Sequence, residues 1–304
     1  MKKLFTLLSI LAVLLAACQP ARRTVRLALL GDLMVGRGVH AGPDSLSTLA
    51  SDLKGADLSL ANLESPLAPG GATGAAGLLS DAGYNLCADS ARAALFPVWG
   101  LDLLSLANNH RFDCGSSGVE STVQALTALG LTPVGPGLQP VYREINGLKL
   151  VFLACDDILA PIDLGAAVQA IQSARSSGAV VVVSVHWGLE YQQGASDRQK
   201  ALARQFAQAG AALVVGTHPH VLQPAAWIPT AQGKTLVLYS LGNALFDQAG
   251  LPDTRQSALV VVTLAASGVQ STRIVPFEID TAGSRMLPPD PQDAARIRLA
   301  LALP

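Results

Sequence analysis

The chain has 304 residues, of which 50% are hydrophobic and only 14% charged, with 21 basic against 22 acidic side chains. That length suits one large α/β domain or two small ones, with ample apolar material for a core. A balance so near neutral lacks the basic face that nucleic acid requires, so no nucleic-acid partner is expected.

The first segment stands apart from the fold. Lys2 and Lys3 give a positive start, Leu4–Leu15 is a nearly unbroken apolar run, and Leu15-Ala16-Ala17-Cys18 closes it. The run is too short for a comfortable membrane span and carries no charge, so residues 1–17 read as an export signal peptide. A Cys at the cleavage point resembles the lipobox of bacterial lipoproteins, in which Cys18 becomes the lipidated first residue. Residues 18–24 would then tether the protein to the outer face of a membrane, since several acyl chains on one residue anchor stably. Without Lys2 and Lys3, 19 basic residues face 22 acidic ones, a net charge of −3.

From Val25 onward, apolar runs of strand length alternate with segments of helical spacing. Val25–Leu30, Asp57–Ala61, Leu101–Ala107, Leu148–Ala154, Ala179–Val185, Ala211–Val215 and Thr235–Leu241 read as strands. Ser45–Lys54, Ser90–Phe96, Gly118–Leu129, Gly165–Ser176 and Asp197–Ala209 read as helices. Strands that are apolar throughout, separated by helices, predict an α/β sheet covered on both faces. Ala258–Ala265 and Thr272–Ile279 follow as an antiparallel pair, and a Pro-rich link, Leu287–Pro291, leads to a short final helix. The reading is a single domain over 25–280 with a C-terminal extension over 281–304. The Gly/Ala stretch Pro69–Gly83 reads as a mobile loop. Cys87, Cys114 and Cys155 allow at most one disulfide, do not have zinc-ribbon spacing, and read as buried small residues.

The chemistry gathers where strands end. Gly31-Asp32, Asn62-Leu63-Glu64, Asn108-Asn109-His110, His186-Trp187-Gly188 and Gly216-Thr217-His218-Pro219-His220 each follow a predicted strand. In open α/β sheets, ligands bind beyond the carboxyl ends of strands. Four of the five histidines belong to this set, and only His40 lies outside it. In an extended segment, residues i and i+2 face the same side, so His218 and His220 are expected to present two nitrogens together. Imidazoles, carboxylates and an amide oxygen suit one or two divalent first-row ions, Mn, Fe or Zn, better than Ca.

Six stretches in order carry a resemblance: GDLMVGR (Gly31–Arg37), LANLESPL (Leu60–Leu67), LANNHRFDCG (Leu106–Gly115), VHWGLEY (Val185–Tyr191), GTHPHVLQP (Gly216–Pro224) and YSLGNALFDQ (Tyr239–Gln248). With them the chain resembles the CapA/PgsA-type capsule synthesis proteins linked to poly-γ-glutamate capsules, whose domain is similar to calcineurin-like metallophosphoesterases. The resemblance implies a four-layer αββα sandwich. It implies that Asp32, Glu64, Asn109, His186, His218 and His220 bind metal, with Asn62 beside the bridging carboxylate. Asn109 and His110 would serve catalysis, His110 as an acid or orienting group. Arg37, Glu190 and Asn243, polar residues in matched motifs, are further pocket candidates along with Asn62. The phosphatase motif Asp-x-His reads Asp32-Leu33-Met34 here, and Thr217 stands where relatives often have another His.

Two functions remain open on the sequence. One is an exported metal-dependent hydrolase or transferase acting on a capsule polymer or a phosphorylated precursor. The other is a non-catalytic, lipid-anchored accessory that helps assemble, export or hold an anionic surface polymer beside capsule synthesis and export proteins. A solute-binding lipoprotein is a remote third, because no second lobe is visible.

Overall fold

The structure, a computed structural model, describes residues 23–71, 84–248 and 250–303. The export signal, Cys18 and most of the Pro69–Gly83 loop lie outside the described residues.

The elements begin with β1 (Val25–Leu33), α1 (Ala50–Lys54), β2 (Leu58–Leu63), β3 (Leu67–Ala68), β4 (Ala88–Asp89) and α2 (Leu95–Trp99). Next come β5 (Leu103–Ser105), α3 (Gly118–Ala128), β6 (Thr132–Val134), β7 (Val141–Ile145), β8 (Leu148–Asp156) and α4 (Leu164–Ser176). They are followed by β9 (Val180–His186), α5 (Asp197–Ala209), β10 (Leu213–Thr217), β11 (Leu222–Thr230) and β12 (Gly233–Leu241). The remaining described elements are β13 (Asn243–Leu245), β14 (Gln256–Ala265), β15 (Gly268–Ile279), β16 (Met286–Leu287) and α6 (Pro291–Leu301).

Two large sheets result. One runs β16-β15-β14-β1-β2-β5-β6, with β13 joining the end of β1, and the other runs β11-β12-β10-β9-β8-β7. The first is antiparallel from β16 to β1 and parallel from β1 to β6, whereas the second is parallel from β12 to β8 with antiparallel edge strands β11 and β7. Alternation along β1 explains the stacking. Val25, Leu27 and Leu29 enter a core between the two sheets, together with Phe152, Val182, Leu213 and Leu238 of the other sheet. Ala28 and Leu30 face the opposite way, into a core closed by Phe96, Trp99 and Leu126 of α2 and α3. The second sheet turns Val181, Val183 and Val214 to Ile171 and Phe206 of α4 and α5. The order of layers is therefore helix, sheet, sheet, helix, and strands buried on both faces need the near-continuous apolar runs seen in the sequence.

Some expectations shift. Ser45–Lys54 and Ser90–Phe96 each resolve into a 3-10 turn followed by a five-residue helix. β6, β7 and β11 were not legible as strands. β11 contains Pro224 and Pro229, which lack a donor, and it lies at a sheet edge where that loss is tolerated. The final helix is no loose appendage, since Ile297 and Leu301 pack into the core between the sheets.

β1 changes partner near its end. Leu29 still pairs with β14, but after a bulge Asp32 pairs with Asn62 of β2 on one side and Asn243 of β13 on the other. Gly31 permits that exchange, because the Asp32 amide reaches the Gly242 carbonyl at 3.0 Å and a Cβ on Gly31 would lie 1.8 Å from that oxygen. Gly216 has the same duty in the second sheet, where a Cβ would lie 2.1 Å from the Tyr239 carbonyl oxygen. Because backbone rather than a flexible side chain blocks both positions, Gly31→Ala and Gly216→Ala should each cost about 3 kcal/mol, the upper end for overpacking. Gly42→Ala, which meets nothing within 4 Å, should stay within about 0.5 kcal/mol of the parent. Urea titrations of the three variants check this, and equal midpoints for all three would refute it.

Candidate metal centre

Register alone brings the site residues to one end of both sheets. Asn243, Asp32 and Asn62 sit side by side on β13, β1 and β2. Asp156, His186 and Thr217 form the corresponding row on β8, β9 and β10. Glu64 follows β2, Asn109 and His110 follow β5, and His218 and His220 follow β10.

The two histidines of that last turn converge by another route than expected. His218 has φ 97° and His220 has φ 58°, both left-handed, so the segment is a tight turn rather than extended chain. Strand alternation therefore does not aim the pair. The turn is held instead by the His218 amide, which donates to Asp32 Oδ2 at 3.0 Å, and by the Pro219 carbonyl, which accepts from the Tyr191 amide at 2.8 Å. Left-handed conformations of non-glycine residues are costly and persist only where the surroundings impose them, commonly at functional sites.

Six predicted ligands are brought together in two groups. In the first, Asp32, Glu64 and His220 each offer one ligand atom, all within 4.8 Å of one another. Glu64 is fully buried, and neither of its carboxylate oxygens has a hydrogen-bond partner among the described residues. His220 Nε2 and His110 Nε2 approach Glu64 Oε1 only to 3.7 and 3.8 Å, too far for hydrogen bonds. A buried carboxylate left in this state is strongly disfavoured unless a cation meets it. In the second group, His186 Nε2 lies 2.8 Å from Asn109 Oδ1 and 3.2 Å from His218 Nδ1. Neighbouring donors on one ion with bonds of ~2.1 Å are about 3.0–3.4 Å apart, so this spacing is close to that of a common ligand sphere. The residues present therefore fit a divalent cation.

Amide side chains behind these groups fix their orientation. Asn243 Nδ2 donates to the Thr254 carbonyl and to Gln248 Oε1, both at 3.0 Å, which leaves Asn243 Oδ1 to accept from His220 Nδ1 at 2.9 Å. His220 Nε2 thereby keeps its lone pair toward Glu64. Asn62 Nδ2 donates to Asp32 Oδ1 at 2.8 Å, and Asn108 Nδ2 donates to Asn62 Oδ1 at 3.1 Å and to the Leu63 carbonyl at 2.8 Å. Asn62 and Asn243, read from sequence as pocket candidates, thus lie buried behind the ligands rather than in the cleft. Register explains why, since both flank Asp32 within the sheet. Thr217, which stands in place of a His, puts its hydroxyl 2.9 Å from His186 Nδ1 and steadies that ring. Met34 is buried in the apolar core on the helix side of the sheet, so its position no longer addresses the site.

His110 stands at the mouth. Its Nδ1 is 2.9 Å from Asp113 Oδ2, an oxygen that also accepts from the Leu86 amide at 2.7 Å. A carboxylate so placed favours the tautomer with the proton on Nδ1 and frees Nε2 for the cleft. Cys87 and Cys114 form a disulfide around this contact, with a sequence separation of 27, and among the described residues Cys155 is left as a buried free thiol. The loop closure contributes on the order of 3 kcal/mol. Asn108, Asp113 and Thr217 were not singled out from the sequence as site residues, although Asp113 lies three positions after His110 in the same motif.

The cleft above is about 430 Å³ and is lined by Arg37, Tyr84, His110, Glu190, Tyr191 and Phe246 among others. Arg37 pairs with Asp247 and lies over the rings of Tyr84 and Phe246, 5.1 and 5.3 Å from their centroids. Glu190 is exposed at the rim.

Burial sets the charges. Desolvation raises the Glu64 carboxyl well above the usual carboxylate range, and the neighbouring Asp32 adds to the rise. Desolvation also raises Asp32, against the opposing pull of His220, the His218 amide and Asn62. The same burial lowers His186 and His220, and takes His218 down to about 3, with neighbouring imidazoles adding to the drop in His186 and His218. All three rings are neutral near pH 7, the form that binds metal.

The family described as bacterial capsule synthesis protein PGA_cap matches residues 26–248. The PGA biosynthesis protein CapA of Bacillus subtilis (strain 168) is 31% identical over 278 residues, spanning 83% of this chain and 71% of that protein. The capsule biosynthesis protein CapA of Bacillus anthracis is 30% identical over 322 residues, spanning 90% and 75%. Among solved structures, a hypothetical protein from Thermus thermophilus matches with a TM-score of 0.51 at 18% identity, over 83% of this chain and 99% of that one. That likeness concerns the fold alone.

Glu64 makes the state of the centre measurable. Its folded value lies above its unfolded one, so in metal-free protein its contribution to stability is complete below the ordinary value of 4.5 and is lost as pH rises through the folded value. Metal-stripped Glu64→Gln should therefore be more stable than the parent at pH 8, with the gap closing toward pH 4. Added Mn²⁺ should reverse the order by stabilising the parent alone. Thermal melts of both proteins with and without chelator test this, and a metal-free parent that outlasts the variant at pH 8 would sink it.

Proposed function

Because the chain belongs to the bacterial capsule synthesis protein family, we propose that it serves capsule biosynthesis, of the poly-γ-glutamate type, as a metal-dependent hydrolase- or transferase-like protein. The observation that carries the metal-dependent reading is the Glu64 carboxylate, buried with both oxygens unpartnered beside Asp32 and His220. Asp32, Glu64 and His220 would hold one cation, and Asn109, His186 and His218 surround the adjoining space. A divalent ion such as Mn, Fe or Zn supplies Lewis acidity and an acidified water near neutral pH.

The remaining chemistry belongs to the chain. Asn243 and Thr217 hold the imidazole rings of His220 and His186 in place, so little reorganisation is required when charge develops. His110, with its Nδ1 proton committed to Asp113, turns Nε2 to the cleft, where that nitrogen exchanges a proton with a substrate oxygen as a general acid–base group. Tyr84, Tyr191 and Phe246 give the cleft apolar walls, and Arg37 supplies a cation to an anionic polymer or its precursor.

We further infer that the protein is exported and lipid-anchored at Cys18. The Lys2–Ala17 sequence supports this, as does the Cys87–Cys114 disulfide, a bond suited to an oxidising compartment. A second reading, a non-catalytic accessory to polymer assembly, export or anchoring, is favoured by one observation. Met34 occupies the position of a phosphatase ligand and is turned into the apolar core.

Three measurements separate these readings. Elemental analysis should find metal in the parent and lose it in a Glu64→Gln/His220→Ala double variant, which removes two of the three donors of the first group. No metal in either, even after incubation with Mn²⁺ or Zn²⁺, would refute the metal centre. His110→Ala should keep its metal while turnover of a phosphoester or γ-glutamyl substrate drops by about 10²–10⁴-fold. Unchanged capsule formation in cells carrying His110→Ala would favour the accessory. Fatty-acid labelling should mark the parent and not Cys18→Ser, and equal labelling of both would remove the lipid anchor.

A further inference from the structure

The two ligand groups differ in charge. Asp32 and Glu64 give the first group two acidic side chains, whereas Asn109, His186 and His218 offer only neutral donors to the second. A divalent ion resting on neutral donors alone, in a pocket this buried, lacks the anion that would offset its desolvation. One carboxylate is within reach. Glu190, His218 and His220 each offer a ligand atom, and those atoms lie within 4.8 Å of one another.

We propose that Glu190 is the anionic ligand of a second divalent-cation position, shared with His218 and its neighbours. The proposal rests on the metal-centre reading above and assigns Glu190 a duty beyond lining the cleft. The backbone around it is built for the task. The segment Trp187–Gln192 is fastened to the turn that carries His218 and His220. The Trp187 amide donates to the Thr217 carbonyl at 3.1 Å, the Tyr191 amide donates to the Pro219 carbonyl at 2.8 Å, and Gln223 Nε2 donates to the Gln192 carbonyl at 2.7 Å. Tyr191 is itself left-handed, with φ 62°. Two interlocked turns thus carry three non-glycine residues in a costly conformation, Tyr191, His218 and His220, and the ligand candidates sit on them.

The Glu190 side chain is exposed, so it reaches the position from the solvent side while the other donors approach from the sheets. An ordinary solvated rim carboxylate would leave metal binding unchanged, and this difference decides the matter.

The test uses the full-length chain in a non-ionic detergent, stripped with chelator and titrated with Mn²⁺ by calorimetry and electron paramagnetic resonance. The parent should take two Mn²⁺ per chain and give the spectrum of a coupled pair. Glu190→Gln should retain the first ion and give a mononuclear spectrum, with the second binding step weakened by more than about 100-fold, beyond the loss typical of residues that only support a ligand. Glu190→Asp should recover part of that loss. Because Glu190 is exposed, an unchanged melting temperature of the metal-free variants is expected and separates ligand loss from misfolding. Two ions bound by Glu190→Gln with parental affinity would overturn the assignment, as would a parent that binds a single ion. A parent that binds none would overturn the metal centre itself.

Discussion

A fully buried carboxylate with no partner among the described residues is the constraint around which this protein is organised. Glu64 has lost its water and has received no hydrogen bond in exchange, and few arrangements in a folded chain cost more. Asp32 is equally buried beside it and raises the electrostatic cost further. Such a pair is a group that could hold a cation, together with His220. The apolar core, the glycine contacts and the bulge in β1 supply the rigidity that keeps the pair in place while the cost is borne.

The centre is supported in depth. Three of its four imidazoles are backed by a second side chain: Thr217 behind His186, Asn243 behind His220 and Asp113 behind His110. Asn243 is in turn fixed by the backbone carbonyl of Thr254, and Asn62 by Asn108. Chains of this kind select one tautomer and one ring orientation, which determines whether a nitrogen meets an ion with a lone pair or with a proton. The disulfide between Cys87 and Cys114 brackets the Asp113–His110 contact, so the segment carrying His110 is tied at its base while the ring faces the cleft.

Much of this was legible in the sequence. Asp32, Glu64, Asn109, His186, His218 and His220 follow apolar strands, and parallel strands deliver such residues to one edge whatever the details of their packing. The supporting residues were harder to find. Asn62 read as a pocket residue because it neighbours Glu64 in sequence, and Asn243 because it stands in a matched motif, yet adjacent register places both inside the sheet. Thr217 and Met34 are departures whose meaning depends on direction, one side chain turned to a ring and the other to the core. β11 was missed because two prolines hide an edge strand from any pattern of alternation.

The sequence by itself determined the alternation of strands and helices, the burial of the strands on both faces, and the set of donors at their ends. These follow from local chemistry and periodicity. Only the tertiary structure decided how the donors meet. The turn at His218-Pro219-His220 is left-handed at both histidines because it answers to Asp32 on one sheet and to Tyr191 on a neighbouring turn, contacts made across 186 residues and across a loop. The same holds for Glu190, whose place beside His218 and His220 is set by hydrogen bonds to that turn. Backbone preference alone would have left the segment extended, and long-range hydrogen bonding overrides it here.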